Sequence, residues 1–332
     1  MNIKGAYADL YLLCQKALGT TSPNPNVAAL IYGQDGAFIA DGYHNRLLSP
    51  DHAEVVALKK AESAARGATI VVSLEPCSHT GSTPPCTEAI IEAGISRVIY
   101  AVKDPNPIAS GGAEVLKRAG IEVEYVASPE LEFIQRAWLH KICTGFPLLI
   151  WKIATTLDGK VAASDGSSKW ISNEGSREDV QLLRAQSDAI LTGTQTVIAD
   201  DPHLIPRGYS NRPVRVICGE TQIPSTSHIF DEEARTLIIQ SRNISHIMDE
   251  LSKEGFNQVL VEAGSTLGTA LLRAGYIDEL IHYQAPALLG SGKSFIQDLG
   301  ISNIEGKLPL ELLSLREISG DIKSHYRVKG IS

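Results

Sequence analysis

Three side chains of the types that bind transition metals occur together with one carboxylate in the first third of the chain. A single residue separates His52 from Glu54, and eight residues separate Cys77 from Cys86. Imidazole nitrogen and thiolate sulfur are ligands that Zn²⁺ favours, and a catalytic zinc site has three protein ligands so that the fourth position can hold water. His52, Cys77 and Cys86 are therefore the predicted zinc ligands.

The carboxylate of Glu54 indicates what such a site could do. Bound Zn²⁺ lowers the pKa of its water from about 15.7 to about 7. In hydrolytic zinc deaminases with the pattern H-x-E…P-C-x-x-C, a glutamate that does not bind the metal moves the protons. Glu54 has that position relative to His52, so the residues predict hydrolytic deamination. The segment between Cys77 and Cys86 is longer than in that pattern.

An ordinary structural role is the alternative for each of these residues. His52 could simply begin a helix, and the two cysteines could be free thiols in a reduced interior. The combination of the two motifs favours a metal site. His-Ala-Glu begins a segment whose apolar residues recur with helical periodicity, and Pro76-Cys77 follows the strand-like segment 69–74. For His79, in the loop between the cysteines, local hydrogen bonding is the favoured interpretation.

Length, composition and charge limit the class of protein. The chain has 332 residues, of which 43% are hydrophobic, and two domains of ~100–200 residues are expected. No segment approaches the ~18 apolar residues of a membrane span, and the first residues lack the features of a signal peptide, so we expect a cytoplasmic protein. The net charge of −8 argues against nucleic-acid binding and favours a small-molecule substrate.

The order of the predicted elements is α/β in both halves of the chain. Predicted strands at 27–32, 37–40, 68–74, 97–102 and 121–126 are interspersed with predicted helices at 7–18, 52–65, 87–93, 111–119 and 129–141. Strands alternating with helices predict a layered sheet with crossover connections. His52 and Cys86 stand at the starts of two of these helices, so their side chains can converge.

Gly145 and Pro147 interrupt the helical periodicity, and we place a domain boundary there, which gives domains 1–146 and 147–332. Beyond the boundary, predicted strands at 148–154, 189–192, 214–218, 236–240 and 259–262 occur with predicted helices at 176–186 and 265–274. The second domain is therefore also expected to be α/β. The five cysteines of the chain are too few and too irregularly placed for a disulfide framework.

Several short segments in both halves resemble those of a known family. They are 23–27, 52–55, 74–79, 83–86 and 104–107 in the first domain, and 157–160, 169–171, 199–202 and 261–264 in the second. With these segments in the same order, the chain is similar over nearly its full length to the bifunctional deaminase-reductases of riboflavin biosynthesis. The resemblance implies a cytidine-deaminase-like three-layer α/β domain followed by a dihydrofolate-reductase-like α/β domain.

The resemblance implies two consecutive reactions. The zinc domain would remove the 2-amino group of a ribosylated diaminopyrimidinone phosphate, with Asn24 and His44 at the pyrimidine. The second domain would then reduce the ribosyl group to ribityl with NADPH. Ser82 departs from the family pattern, which has Lys or Arg there, and the missing cation would weaken the hold on a phosphorylated substrate.

Residue chemistry and the resemblance together indicate a reductase site in the second domain. Lys152 lies in an apolar strand, where an unpaired charge is costly, so a functional role is favoured. We assign Lys152 and Asp200 to orienting and protonating the opening ribose. The resemblance implies further substrate contacts from Ser168, Leu204 and Glu262 and from two arginines suited to clamp phosphate, Arg184 and Arg207.

The expected NADPH site is described by two groups of residues. The turn Gly264-Ser265-Thr266-Leu267-Gly268 lies between a strand and a helix and offers backbone N–H groups to a pyrophosphate. Ser241 and Arg242 suit a 2′-phosphate and favour NADPH over NADH. The resemblance places the nicotinamide near Ala154, Trp170 and Thr196, with Asp200 also at the cofactor.

Two other functions remain open from the sequence. One is a reductase whose N-terminal domain binds zinc only as a structural or oligomerisation module, and the other is a deaminase-reductase for a modified pyrimidine outside the vitamin pathway. Structural zinc sites normally have four protein ligands, whereas three are found here, which favours a catalytic metal. The expected assembly is a homo-oligomer, either a dimer or a tetramer.

Overall fold

The computed structural model describes residues 2–81, 83–169 and 171–329. The chain forms two compact units, Met1–Gly145 and Phe146–Ser332. The boundary predicted between residues 146 and 147 lies one residue further along the chain. Both units are α/β, so the predicted fold class is confirmed. Among the described residues, no helix combines the length and the apolar character needed to cross a bilayer.

The first unit is built on a five-stranded sheet in the order β2-β1-β3-β4-β5. Its elements are α1 (Ile3–Ala17), β1 (Ala28–Tyr32), β2 (Phe38–Tyr43), α2 (Ala53–Ala61), β3 (Thr69–Val72), α3 (Cys86–Glu92), β4 (Arg97–Tyr100), α4 (Gly112–Arg118), β5 (Glu122–Tyr125), α5 (Pro129–Ile134) and α6 (Arg136–Thr144). Every residue of β1 is buried. Successive residues of a strand face opposite sides, so both faces of the sheet are covered at this strand.

The direction of the strands changes within this sheet. The β1 strand pairs antiparallel with both β2 and β3, whereas β3, β4 and β5 are parallel. Parallel strands need crossover connections, and α3 and α4 provide them. The loops that follow β3 and β4 therefore leave the same edge of the sheet.

The second unit contains an eight-stranded sheet in the order β10-β9-β8-β11-β6-β12-β15-β14 and a two-stranded sheet of β7 and β13. Its elements are β6 (Leu148–Thr156), β7 (Lys160–Ala163), α7 (Glu174–Ala185), β8 (Ala189–Gly193), α8 (Thr194–Asp200), β9 (Val214–Cys218), β10 (Thr236–Ile239), α9 (Ile244–Lys253), β11 (Gln258–Val261), α10 (Ser265–Arg273), β12 (Glu279–Ala285), β13 (Gly292–Ser294), β14 (Leu310–Ile318) and β15 (Asp321–Val328). The strands from β10 to β12 are parallel, and β15 and β14 add an antiparallel edge.

The carboxyl ends of these parallel strands meet at one edge of the large sheet. Ligands of open α/β sheets bind outside the carboxyl ends of the strands. The residues that directly follow β8, β9 and β11 are Thr194, Gly219 and Glu262. This edge is therefore the expected place of the second unit's site.

Candidate active sites

The three predicted zinc ligands converge in the first unit. His52 is the N-cap residue of α2, Cys77 lies in the loop after β3, and Cys86 is the first residue of α3. The Nδ1 atom of His52 lies 3.2 Å from Sγ of Cys86 and 3.6 Å from Sγ of Cys77. These ligand atoms all lie within 4.8 Å of one another.

This donor set fits zinc. Ligands at about 2.3 Å for sulfur and about 2.0–2.1 Å for nitrogen in a tetrahedral arrangement stand about 3.6 Å apart, which agrees with the separations found here. Within residues 2–81, 83–169 and 171–329, no fourth His, Cys, Asp or Glu completes the cluster. The geometry is that of a three-ligand site with an open position.

Two glycines allow the ligand-bearing segments to approach each other. A Cβ on Gly42, in β2, would lie 2.3 Å from the backbone oxygen of Ala53, at the start of α2. A Cβ on Gly112, at the start of α4, would lie 1.7 Å from the backbone oxygen of Pro76. Any side chain at either position would displace the backbone next to His52 or Cys77, so glycine is needed at both.

The charges of the site follow from burial and hydrogen bonding. The two cysteines share a hydrogen bond that shifts them in opposite directions: this bond and one from His52 lower the pKa of Cys77 to about 4, while the bond to Cys77 and burial raise the pKa of Cys86. Glu54 is 4% exposed. Burial, reinforced by the nearby Cys77, raises the pKa of Glu54 to about 7.

A cavity of about 310 Å³ opens beside these residues and is lined by His52, Glu54 and Cys77. Asn24 and His44, the predicted pyrimidine contacts, both line it, and their Nδ2 and Nε2 atoms lie 3.1 Å apart. The Nδ1 atom of His44 donates to the backbone oxygen of Asp51 at 2.8 Å. This bond leaves Nε2 as the nitrogen that faces Asn24.

Sequence reasoning missed part of this cavity. His79, Asp104, Asn106, Trp138 and Ile142 also line it. His79 does not belong to the His-Cys-Cys cluster, and its Nδ1 is buried without a hydrogen-bond partner among the described residues. The Asp-Pro-Asn-Pro segment, one of the segments that resemble the family, contains Asp104 and Asn106 and could have indicated them. No sequence pattern indicates that Trp138 and Ile142 of α6 line the cavity. Ser82 lies outside the described residues.

Among the described residues of the second unit, two neighbouring cavities lie at the carboxyl edge of the large sheet. The larger, of about 1040 Å³, is lined by these predicted residues: Lys152, Ala154, Ser168, Thr196, Asp200, Glu262, Gly264 and Ser265. The smaller, of about 390 Å³, is lined by Thr196, Ser241, Arg242, Gly264, Thr266 and Leu267. The fold thus gathers most of the expected reductase residues. Trp170 lies outside the described residues.

Arg184 is not a free phosphate clamp. Its Nε and Nη2 atoms donate to the two carboxylate oxygens of Glu262 at 2.6 and 2.9 Å, and Nη1 donates to the backbone oxygen of Ile205 at 3.4 Å. Burial opposes the charge on Glu262, but Arg184 and Lys152 lower its pKa. Burial lowers the pKa of Lys152, which Glu262 partly offsets. Arg184 therefore holds an ionised Glu262 near Lys152.

Three further predicted residues do not line either cavity. Gly268 packs against Trp151, since a Cβ on Gly268 would lie 2.1 Å from the indole, and its N–H donates to Gly264 within α10. This N–H already has a backbone partner, and a cofactor contact from Gly268 remains a prediction. Leu204 is 2% exposed and packs into the interior, and Arg207 lies on an exposed loop. Substrate contacts from these two remain predictions.

The start of α10 fits a dinucleotide pyrophosphate. The first N–H groups of a helix have no partner within the helix, and the N-cap Gly264 provides no side-chain hydrogen bond to them. A Cβ on Gly264 would meet no heavy atom within 4 Å, so the backbone is open to the cavity. The residues missed here by sequence reasoning include Arg177, Gln195, Lys293 and Phe295.

Two family models match the chain. Residues 3–102 match the cytidine and deoxycytidylate deaminase zinc-binding region, and residues 147–324 match the RibD C-terminal domain. The predicted cofactors, Zn²⁺ for the first unit and NADPH for the second, are confirmed by these matches and by the His-Cys-Cys cluster.

Similar proteins extend the match over nearly the whole chain. The riboflavin biosynthesis protein RibD of Mycobacterium tuberculosis is 44% identical over 92% of this chain and 91% of its own, and that of Escherichia coli is 39% identical over 94% and 96%. A solved Thermotoga maritima deaminase/reductase structure is 31% identical, covers 97% of each chain and has a TM-score of 0.88. The chain belongs to the RibD family of riboflavin biosynthesis proteins, which join a deaminase and a reductase in one polypeptide.

Proposed function

We propose that this chain catalyses two consecutive steps of riboflavin biosynthesis. The first is the hydrolytic deamination of 2,5-diamino-6-(5-phosphoribosylamino)pyrimidin-4(3H)-one. The second is the NADPH-dependent reduction of the ribosyl group, which gives 5-amino-6-(5-phosphoribitylamino)uracil. The observation that carries the proposal is the convergence of His52, Cys77 and Cys86 beside a buried Glu54, with no fourth ligand among the described residues.

In the first unit, His52, Cys77 and Cys86 would hold zinc, which supplies a water acidified to a pKa of about 7. Glu54 takes a proton from the attacking water and delivers it to the leaving amine. Burial supports this role, because a carboxyl with a pKa of about 7 exchanges protons in both directions near neutral pH. Asn24 and His44, at hydrogen-bond distance from each other, orient the heterocycle.

In the second unit, NADPH would supply the hydride, and the residues of the chain position the sugar and the proton. Lys152 and Asp200 line the same cavity, which supports their assignment to orienting and protonating the opening ribose. The bidentate pair of Arg184 with Glu262 keeps a carboxylate near Lys152. We assign this pair to positioning Lys152 and holding its charge.

The experiment follows each reaction separately with the full-length protein. Ammonia release is measured from the diaminopyrimidinone, and NADPH oxidation is measured with the deaminated intermediate as substrate. A chelator that removes zinc should abolish ammonia release and leave NADPH oxidation unchanged. Reduction without ammonia release from the zinc-loaded protein would contradict the deaminase and favour a structural zinc module. The small-molecule substrate, the homo-oligomer and the cytoplasmic location belong to the same proposal.

A further inference from the structure

The two cavities of the second unit share a small group of residues. Gln195, Thr196, Gly264 and Lys293 line both of them. The larger cavity contains Lys152, and the smaller one contains the expected 2′-phosphate contact Arg242. The shared residues therefore lie where the two cavities join, between the expected reaction centre and the expected adenosine end of the cofactor.

Lys293 is the cationic member of this group, and its place is fixed by the small sheet. It lies in β13 and pairs with Ala162 of β7 in an antiparallel register. The neighbouring Gly292 allows the two strands to approach, because a Cβ there would lie 2.4 Å from the backbone oxygen of Ala162. The lysine is exposed and forms no ion pair with a described residue.

The other cations that line the cavities have different surroundings. Arg242 lies 3.4 Å from the carboxylate of Glu220. The guanidinium of Arg177 donates to the backbone oxygen of Ser172 at 2.6 Å. Lys152 lies in the wall of the larger cavity, near Glu262. Lys293 is thus the cation at the junction whose charge no described carboxylate neutralises.

The junction is also where the start of α10 opens. Gly264 lines both cavities, Ser265 lines the larger, and Thr266 and Leu267 line the smaller. The unpaired N–H groups and the helix dipole give this end about half a positive charge. A pyrophosphate carries two negative charges, so a lysine that lines the same two cavities as Gly264 adds attraction that the backbone alone lacks.

We propose that Lys293 binds the pyrophosphate of the dinucleotide cofactor, together with the N-terminal amides of α10. This inference rests on the reductase half of the proposed function. A residue that binds the pyrophosphate acts on NADPH and NADH alike, because both contain that group. A residue that binds the 2′-phosphate acts on NADPH alone. The two roles are therefore separable by measuring both cofactors.

The test measures dissociation constants of NADPH and NADH for the full-length, zinc-loaded protein by the fluorescence of the reduced nicotinamide. Lys293→Gln should weaken both cofactors by a similar factor, roughly tenfold, because one charge-assisted contact is lost. Arg242→Gln should weaken NADPH and leave NADH unchanged. Lys160→Gln is the matched control, since Lys160 lies in the same small sheet and lines neither cavity.

The outcomes distinguish the inference from the function on which it rests. If Lys293→Gln changes neither constant, or changes NADPH alone, the pyrophosphate role is wrong although the reductase assignment stands. If the wild-type protein binds neither cofactor, the reductase half fails and the inference fails with it. A similar loss in Lys160→Gln, which removes a cation bonded to Ser294 in the same small sheet, would overturn the specific role of Lys293, because it would show that the effect does not depend on the cavity-lining lysine.

Discussion

The two sites of this chain are built in different ways. In the first unit, the zinc ligands and Glu54 come from residues 52–86, at the starts of α2 and α3 and in the loop before α3, and they surround a cavity of about 310 Å³. In the second unit, Lys152, Asp200 and Glu262 come from β6, α8 and the end of β11, around a cavity of about 1040 Å³.

This difference reflects the chemistry that each site performs. A metal needs three ligand atoms at fixed short distances, and neighbouring elements can provide them. A dinucleotide and a sugar phosphate are long, so their contacts must come from several strand ends along one sheet edge. We therefore expect the loss of one ligand or of Glu54 to abolish most of the deaminase activity. In the reductase site, many residues share the binding energy, so we expect a single substitution to have a smaller effect.

The largest expected effect is on Glu54. We expect Glu54→Gln to lower ammonia release by roughly 10²–10⁴-fold, because the amide cannot move the proton, while zinc content and NADPH oxidation stay unchanged. Glu92→Gln is the control, since Glu92 is an exposed residue of α3. Loss of NADPH oxidation in Glu54→Gln would show that the two sites are not independent.

The complementary change in the second unit is Asp200→Asn. Asp200 lines the reductase cavity at the end of α8, and its amide replacement can neither carry the charge nor exchange the proton. We expect NADPH oxidation to fall by roughly 10–100-fold and ammonia release to be spared. Asp249→Asn, at an exposed residue of α9, controls for the loss of a surface charge. Equal loss of both activities would remove the assignment.

The zinc site was more predictable from the sequence than the reductase site, because its ligands come from neighbouring elements. The ligand set depends on local spacing and helix starts, and His52 and Cys86 stand at those positions as predicted. The return of Trp138 and Ile142 to the cavity depends on how α6 packs, which no local pattern encodes. The helix predicted over 129–141 is in fact divided at Gln135.

In the second unit, the predicted strands correspond to β6, β8, β9, β10 and β11, whereas the sequence analysis missed the sixth parallel strand, β12, and the antiparallel edge, β14 and β15. The ion pair of Arg184 with Glu262 joins residues 78 positions apart, so a guanidinium that looks suited to phosphate in the sequence has a protein partner in the fold. Gly268 likewise contacts a residue that is distant in the sequence. Its contact with Trp151 arises only from the packing of α10 against β6, so the sequence alone did not indicate it.

Two glycines of the α10 segment separate packing from cofactor binding. Gly268→Ala should destabilise the protein by about 1–3 kcal/mol, because its Cβ would overlap the buried indole of Trp151. Gly264→Ala should change stability by less than about 0.5 kcal/mol, because the space beside it is open, yet weaken NADPH binding at the helix start. Urea unfolding and cofactor titration of both variants provide the measurements. The reverse pattern would contradict the division of roles.

The smallest expected effect is a shift in the pH dependence of NADPH oxidation. Burial lowers the pKa of Lys152 below that of an exposed lysine, and Glu262 offsets part of this effect. The ammonium form is therefore lost at a lower pH than usual, and NADPH oxidation should decline on the alkaline side below the ordinary lysine value of about 10.4. Lys152→Arg should move this decline to higher pH, whatever its effect on the maximal rate, because arginine stays protonated. The pH dependence of ammonia release, followed in the same samples, should not move with it. If the alkaline decline of NADPH oxidation is unchanged in Lys152→Arg, it reports the titration of another group, and the proposed role of Lys152 in protonation is wrong.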